Sequence, residues 1–307
     1  MGLFTNNKKL CPICGNPTPR LLADKVEGEA LCKECSAQLD LPAGALSGMT
    51  LDGLRAYLAV YDENEPRRSA FCEDYRFDFG FFGATLLMDT ANRLLRIKPG
   101  DGAFAFGPEN LRALRILADG DVIIEATAAG LLLLPDSVPE RAEALRGRIE
   151  EFRSHVREWE WMDERHARDP RPEGQRPPRP ERPRFDCDAP VDHFYVEIDL
   201  DHPYWSEFRA KRGAPGFDRD DPSVEEYLAA YEEKKAELLD LARHFMAVLD
   251  PTAPETDETA PAQQSAAAAP AQATDVAEEL KKYKSLLDAG ILTEEEFTAK
   301  KRQLLGI

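Results

Sequence analysis

A chain of 307 residues with 57 acidic against 39 basic side chains, net charge −18, has room for two or three domains and repels phosphate backbones. The stretch 1–14 lacks the apolar core of a signal peptide, and no window reaches the ~20 apolar residues of a membrane span. A soluble, cytoplasmic protein is expected, with no membrane span and generic nucleic-acid binding disfavoured.

Residues 1–40 carry Cys11-Pro-Ile-Cys14 and Cys32-Lys-Glu-Cys35, with seventeen residues between the pairs. Each C-x-x-C turn aims two thiolates at one point, and two such turns supply the four soft, tetrahedral donors that Zn2+ takes. Lys25–Leu31 reads as a short hairpin delivering the second pair. So short a segment has too little apolar material for a core of its own, so metal binding must stabilise it. Disulfides or a redox dithiol are the alternatives, and the paired spacing argues against both. Four protein ligands leave no open position, which speaks for a structural zinc rather than a catalytic one. Five basic side chains (Lys8, Lys9, Arg20, Lys25, Lys33) are matched by five acidic ones in this segment, so a protein-contacting or purely structural ribbon is favoured over a nucleic-acid binder. The cysteine frame and Leu31-Cys32-Lys33-Glu34-Cys35 resemble an uncharacterised zinc-ribbon family found at the N-terminus of some bacterial proteins.

After a Leu41–Gly44 linker, Leu54, Tyr57, Leu58 and Tyr61 share one face of a helix over 50–61. Thr85–Asp89 and Arg93–Ile97 flank a turn, and Phe104–Phe106, Leu111–Leu117 and Val122–Glu125 follow with turns between them. Five short strands of one antiparallel sheet are expected. The Lys98–Gly102 stretch is a turn and not a phosphate loop, since no Lys-Ser/Thr follows it.

Ala142, Leu145, Ile149, Phe152, Val156 and Trp159 recur at the 3–4 spacing of a coiled-coil seam. That seam packs either on the protein's own sheet or against another chain. The Pro- and Arg-rich run 169–184 favours polyproline II; a stiff linker is the favoured reading, a ligand for an aromatic groove the other. Together 136–188 read as a charged insertion between strands. The sheet resumes at 191–201, where Phe194, Val196, Ile198 and Leu200 point in and His193, Tyr195, Glu197, Asp199 and Asp201 point out. The outward histidine and carboxylates could chelate a cation, but alternate residues on a strand make a row rather than a pocket, and a solvated sheet face explains the pattern. His202–Trp205 closes the strand. Cys72 and Cys187 are expected to be buried, unreactive thiols.

Asp221 or Ser223 caps a long helix whose core face carries Val224, Leu228, Tyr231, Leu238, Leu241, Phe245 and Val248. Strands followed by a long helix are similar in order to a PH-like domain, a resemblance of architecture over 50–250 that implies lipid or ligand binding. The run 251–274 has almost no large apolar residue and is expected to be a disordered tether, reaching roughly 25–30 Å by random-coil scaling.

The last stretch, 275–307, encodes a helical hairpin. Val276, Leu280, Tyr283 and Leu287 form one stripe, Ala289-Gly290 a stop, Thr293 and Glu296 a capping box, and Phe297 and Leu304 a second stripe. Leu280, Leu286-Leu287, Ala289-Gly290-Ile291-Leu292, Thr293–Phe297 and Lys300-Lys301 resemble the SHOCT domain, a short C-terminal hairpin. The resemblance implies oligomerisation or docking, with Leu280, Tyr283, Leu287, Ile291, Leu292, Phe297 and Leu304 as the partner-binding side chains.

The whole reads as an α+β multidomain protein: four-cysteine zinc ribbon (1–40), PH-like domain (50–250), tether and hairpin tail. A non-enzymatic adaptor that joins itself or another protein is the favoured function; a lipid- or ligand-binding sensor and a metal-dependent hydrolase on the His193/Asp199/Asp201 row are the alternatives. No nucleophile elbow, Walker motif or HExxH is present.

Overall fold

In the computed structural model, residues 5–42, 44–80, 83–98, 104–172 and 175–257 are described. The chain divides into Met1–Thr259 and Ala260–Ile307. The expected tail hairpin with its stripe, the tether beyond 257 and the core of the 98–102 turn lie outside the described residues. No helix among the described residues is long and apolar enough to cross a membrane.

Alternation of apolar and polar residues builds two sheets where one was expected, antiparallel but for one edge strand. The smaller joins β5 (Tyr75–Asp78), β6 (Thr85–Asp89) and β7 (Leu94–Lys98), and Leu95 bridges onward to Phe106. The larger has the order β12-β11-β8-β9-β10-β13, formed by β8 (Leu111–Ala118), β9 (Asp121–Thr127), β10 (Gly130–Leu133), β11 (His193–His202), β12 (Trp205–Gly213) and β13 (Glu255–Asp257). Strand β11 returns beside β8 instead of continuing after β10, so the larger sheet grows from both sides of β8–β9.

Strands β5, β10, β12 and β13 are absent from the sequence reading. Three of them are four residues or shorter, and β12 (WSEFRAKRG) shows little apolar alternation. The expected tether therefore begins later than 251. Residues 255–257 pair in parallel with β10, and Leu131 N–H donates to the Pro254 carbonyl at 2.9 Å. Gly130 permits that approach: its φ is +141°, and a Cβ there would lie 2.5 Å from the Pro254 oxygen.

Helix α6 (Val224–Leu249), capped by Ser223 rather than Asp221, packs on β8, β9 and β10 of the larger sheet and on β6 and β7 of the smaller. Its buried face includes Tyr227, Tyr231, Leu238, Leu241, Phe245 and Val248. Phe194 of β11 stacks on Tyr231 at 5.5 Å. The Arg93 guanidinium donates to the Val248 carbonyl at 3.0 Å and to that of Leu249, satisfying carbonyls that a helix end leaves without partners. Asp136, 5% exposed at its side chain, accepts from Lys235 at 2.7 Å and from the Tyr231 hydroxyl at 2.9 Å.

Part of the seam, Ala142, Ile149 and Phe152, packs within the chain. Helices α4 (Val138–Glu143) and α5 (Arg146–Ala167) bury Val138, Ala142, Ile149 and Phe152. The Pro- and Arg-rich run turns back along α5 instead of acting as a free linker. Trp159 Nε1–H donates to the Pro180 carbonyl at 3.0 Å, His166 Nε2 meets the Pro177 carbonyl at 2.8 Å, and Arg179 pairs with Asp163 at 2.7 Å. Phe185 closes the strap, 5.5 Å from Phe152 and 5.7 Å from Phe217 between ring centroids. Heptad spacing reports only that a helix has an apolar stripe; a distant segment of the same chain covers this one.

Replacing Phe185, 6% exposed, with alanine should remove about 3–5 kcal/mol of stability, read from the urea midpoint, while light scattering shows an unchanged mass. A mass increase on exposing the stripe would assign the seam to intermolecular pairing instead.

Candidate metal centre

The chain makes two tight structures around the four cysteines. Cys11–Cys14 lies in the turn after β1 (Thr5–Leu10), closed by Gly15 N–H to the Cys11 carbonyl at 2.9 Å and by Cys11 N–H to the Asn16 carbonyl at 2.8 Å, before β2 (Pro17–Pro19) pairs back. The expected hairpin is β3 (Lys25–Val26) and β4 (Glu29–Ala30), joined by Glu27 and Gly28, both with positive φ (51° and 84°), the conformation of a two-residue primed turn. It delivers Cys32 to the N-cap of α1 (Lys33–Ala37), where Cys32 Sγ accepts from Cys35 N–H at 3.4 Å.

These turns bring Cys11, Cys14, Cys32 and Cys35 together with all four sulfurs within 4.8 Å of one another, and Cys14 Sγ 3.3 Å from Cys32 Sγ. Cys11, Cys32 and Cys35 are buried, and Cys14 is exposed. Burial pushes the Cys32 thiol up to about 11 and Cys35 higher still. At Cys11 burial acts in the same sense, but backbone N–H groups of Cys14, Cys32 and Ile13 outweigh it and bring the thiol down to about 7. Four converging thiols in so small a volume can hold one metal ion, which favours their thiolate form.

The segment is tied to its surroundings. Glu27 Oε2 accepts from Leu51 N–H at 3.0 Å, at the first turn of α2 (Leu51–Glu63), whose Thr50 cap accepts from Gly53 N–H. Buried Val26 and Leu31 belong to one hydrophobic cluster with Leu54 and Tyr57 of α2. Asp40 is a buried junction that motif reading passed over. Its side chain accepts from Phe104 N–H, its N–H donates to the Tyr57 hydroxyl at 2.8 Å, and its carbonyl accepts from Trp205 Nε1 at 3.0 Å. Tyr57 in turn donates to the Gln38 carbonyl at 2.8 Å. The signal was present as an acidic residue inside the apolar run Leu39-Asp40-Leu41. Burial pushes the Asp40 carboxyl up to about 6, against the Phe104 N–H and the charge of Arg96.

The outward row on β11 does not form a second centre. Arg209, Glu197, Arg115 and Glu125 lie in register across β12, β11, β8 and β9, alternating in sign. Glu197 pairs with Arg209 at 3.2 Å, Asp199 with Arg115 at 2.7 Å, and Asp201 with Arg112. The carboxylates are engaged by arginines from neighbouring strands, and the cysteine quartet is the only metal-ligating cluster among the described residues. Cys72 is exposed and Cys187 half-buried, against the expectation that both are buried.

Residues 278–305 match the family model SHOCT, the short C-terminal domain, over most of the expected hairpin. No curated protein and no solved structure matches the chain.

Because the folded Asp40 carboxyl titrates near 6 and an unfolded one near 4, the native state binds the extra proton between those values, and its contribution to stability falls as pH rises through that window. Asp40→Asn keeps an acceptor for Phe104 N–H and cannot ionise. It should exceed the wild type at pH 7 by up to about 3 kcal/mol in urea titrations, the advantage shrinking toward pH 4. Equal stability at both pH values would remove the buried-carboxyl account.

Proposed function

We propose that the cysteine quartet holds a structural zinc ion and that the protein is a non-enzymatic adaptor, assembled or docked through its SHOCT tail. The observation that carries the reading is the family match over 278–305, which coincides with a stripe written for contact: Leu280, Tyr283, Leu287, Ile291, Leu292, Phe297 and Leu304. A hairpin of that length buries too little to be stable alone, so its apolar side chains need a partner surface.

The donor set fits zinc. Ligand bonds of about 2.3 Å in a tetrahedron separate the sulfurs by roughly 3.8 Å, and the four sulfurs here fall within 4.8 Å. Four thiolates leave no position for water or substrate, so the ion would cross-link the two turns rather than catalyse. The thiolates of all four cysteines do the holding, and Cys35 N–H supports the Cys32 sulfur.

A PH-like reading of the middle draws support from strand order. Four antiparallel segments (β5, β6, β7 and the bridged residue 106) precede three more (β8–β10), and α6 packs on both groups. On that reading everything between β10 and α6, including the β11–β12 hairpin, is inserted. A ligand- or lipid-binding sensor is therefore the second reading. The hydrolase alternative loses ground because Asp199 and Asp201 are committed to Arg115 and Arg112.

Metal analysis of the purified full chain should find one zinc per chain, lost in Cys11→Ser and Cys32→Ser and released on acidification as the thiols regain protons. A zinc content near zero, with folding intact, would remove the metal reading.

For the tail, absolute mass by light scattering should be larger for the full chain than for a full chain carrying Leu287→Asp and Phe297→Asp. An unchanged mass would remove self-assembly through the tail, and a lipid or small molecule retained in native mass spectrometry would favour the sensor.

A further inference from the structure

The two edges of the larger sheet are built differently. At one edge β13 is three residues long, runs parallel to β10 and follows Pro254, a short and blunted end. At the other, β12 is nine residues long, and its register with β11 runs unbroken from His193 opposite Gly213 to Asp199 opposite Glu207. No proline or bulge interrupts 207–213. Among the described residues, no backbone group of that stretch bonds to anything outside the β11 ladder. An edge of this length offers a row of donors and acceptors to another strand.

Edge strands are often protected by charges of one sign, but here the sign changes along the exposed face. Glu207 and Lys211 are exposed and have no ion-pair partner among the described residues, whereas Arg209 between them is drawn to Glu197 at 3.2 Å and lies 4.6 Å from the Tyr195 ring centroid. Glu207 and Lys211 stand two residues either side of Arg209. In an antiparallel pair of β12 strands with its two-fold axis at Arg209, each Glu207 stands opposite Lys211 of the other copy. Opposite charges in such positions stabilise a strand pair, and like charges destabilise it.

We propose that the outer edge of β12 pairs with β12 of a second copy of this chain, joining two six-stranded sheets into one across a two-fold axis at Arg209. The free charges of each edge are complementary to the same edge turned around, as an isologous interface requires. Each Arg209 faces its counterpart but is held toward its own Glu197, so the cross-strand ladder of alternating charge continues up to the axis. This interface needs no residue of the tail and stands independently of the tail's proposed role.

The test uses the full chain carrying Leu287→Asp and Phe297→Asp, so that association through the tail stripe is absent, in sedimentation velocity over a wide concentration series. The expected result is a reversible dimer. Glu207→Lys and Lys211→Glu should each weaken it about ten-fold or more, and the double exchange E207K/K211E, which restores opposite charges across the axis, should bring the dimer back. Far-ultraviolet circular dichroism verifies that each variant is folded, and the double exchange guards against a folding defect in either single one. A monomer at every concentration, or a double exchange no tighter than the single ones, overturns the proposal. The first of these leaves the tail reading standing if the unmodified chain is still an oligomer. Rescue by the double exchange supports the β12 interface whatever the tail does.

Discussion

Asp40 sits where four parts of the chain meet, and its buried polar groups can be satisfied only when all four are in place. Its N–H reaches the Tyr57 hydroxyl on α2, its carbonyl takes the Trp205 indole at the start of β12, and its carboxyl takes Phe104 N–H on the segment leading to β8. It lies five residues past Cys35, so the cysteine segment enters the same junction. Leaving any one of these buried groups without its partner costs about 1–3 kcal/mol. The junction thus couples the cysteine turns to the strands by hydrogen bonds that need correct placement of segments more than a hundred residues apart.

That coupling explains why so small a cysteine segment is orderly. Its own apolar residues are few, but Val26 and Leu31 are buried in a cluster shared with α2, and Glu27 satisfies the first N–H of that helix. A metal ion would fix the two cysteine turns with respect to each other, and α2 and Asp40 fix them with respect to the sheets. Packing orients the segment, and a bound metal ion would close it.

In the charged insertion a segment of the same chain covers part of an apolar stripe. The Pro- and Arg-rich run has little conformational freedom to lose, so laying it along α5 costs less entropy than ordering a flexible loop of the same length. Trp159, His166 and Asp163 give it hydrogen-bonding anchors, and Phe185 gives it an apolar one. The β11–β12 hairpin follows directly, and its outer face is a lattice of ion pairs worth roughly 0.2–1 kcal/mol each. Specificity of register, more than stability, is what such alternating charge supplies.

Local chemistry was legible in the sequence because it depends on neighbours in the chain. The paired C-x-x-C turns, a cap at Asp221 or Ser223, the apolar faces of α2 and α6, the β6–β7 hairpin and the inward set on β11 were all read from spacing, and the tail was read from its hairpin signals. Short strands such as β5, β10 and β13 carry too few residues to show a period, and β12 hides its own behind charges. The partner of the α5 stripe, the return of β11 to β8 rather than β10, the pairing of 255–257 with β10 and the distant hydrogen-bond partners of Asp40 were beyond reach. Each depends on which distant segment arrives, and a period or motif describes only the face that waits for it. Residue order alone was enough for the cysteine quartet, the main helices and the chemistry of the tail. Which edges pair and which stripe is covered follow from the folded arrangement, because those contacts close long loops whose ends no local pattern connects.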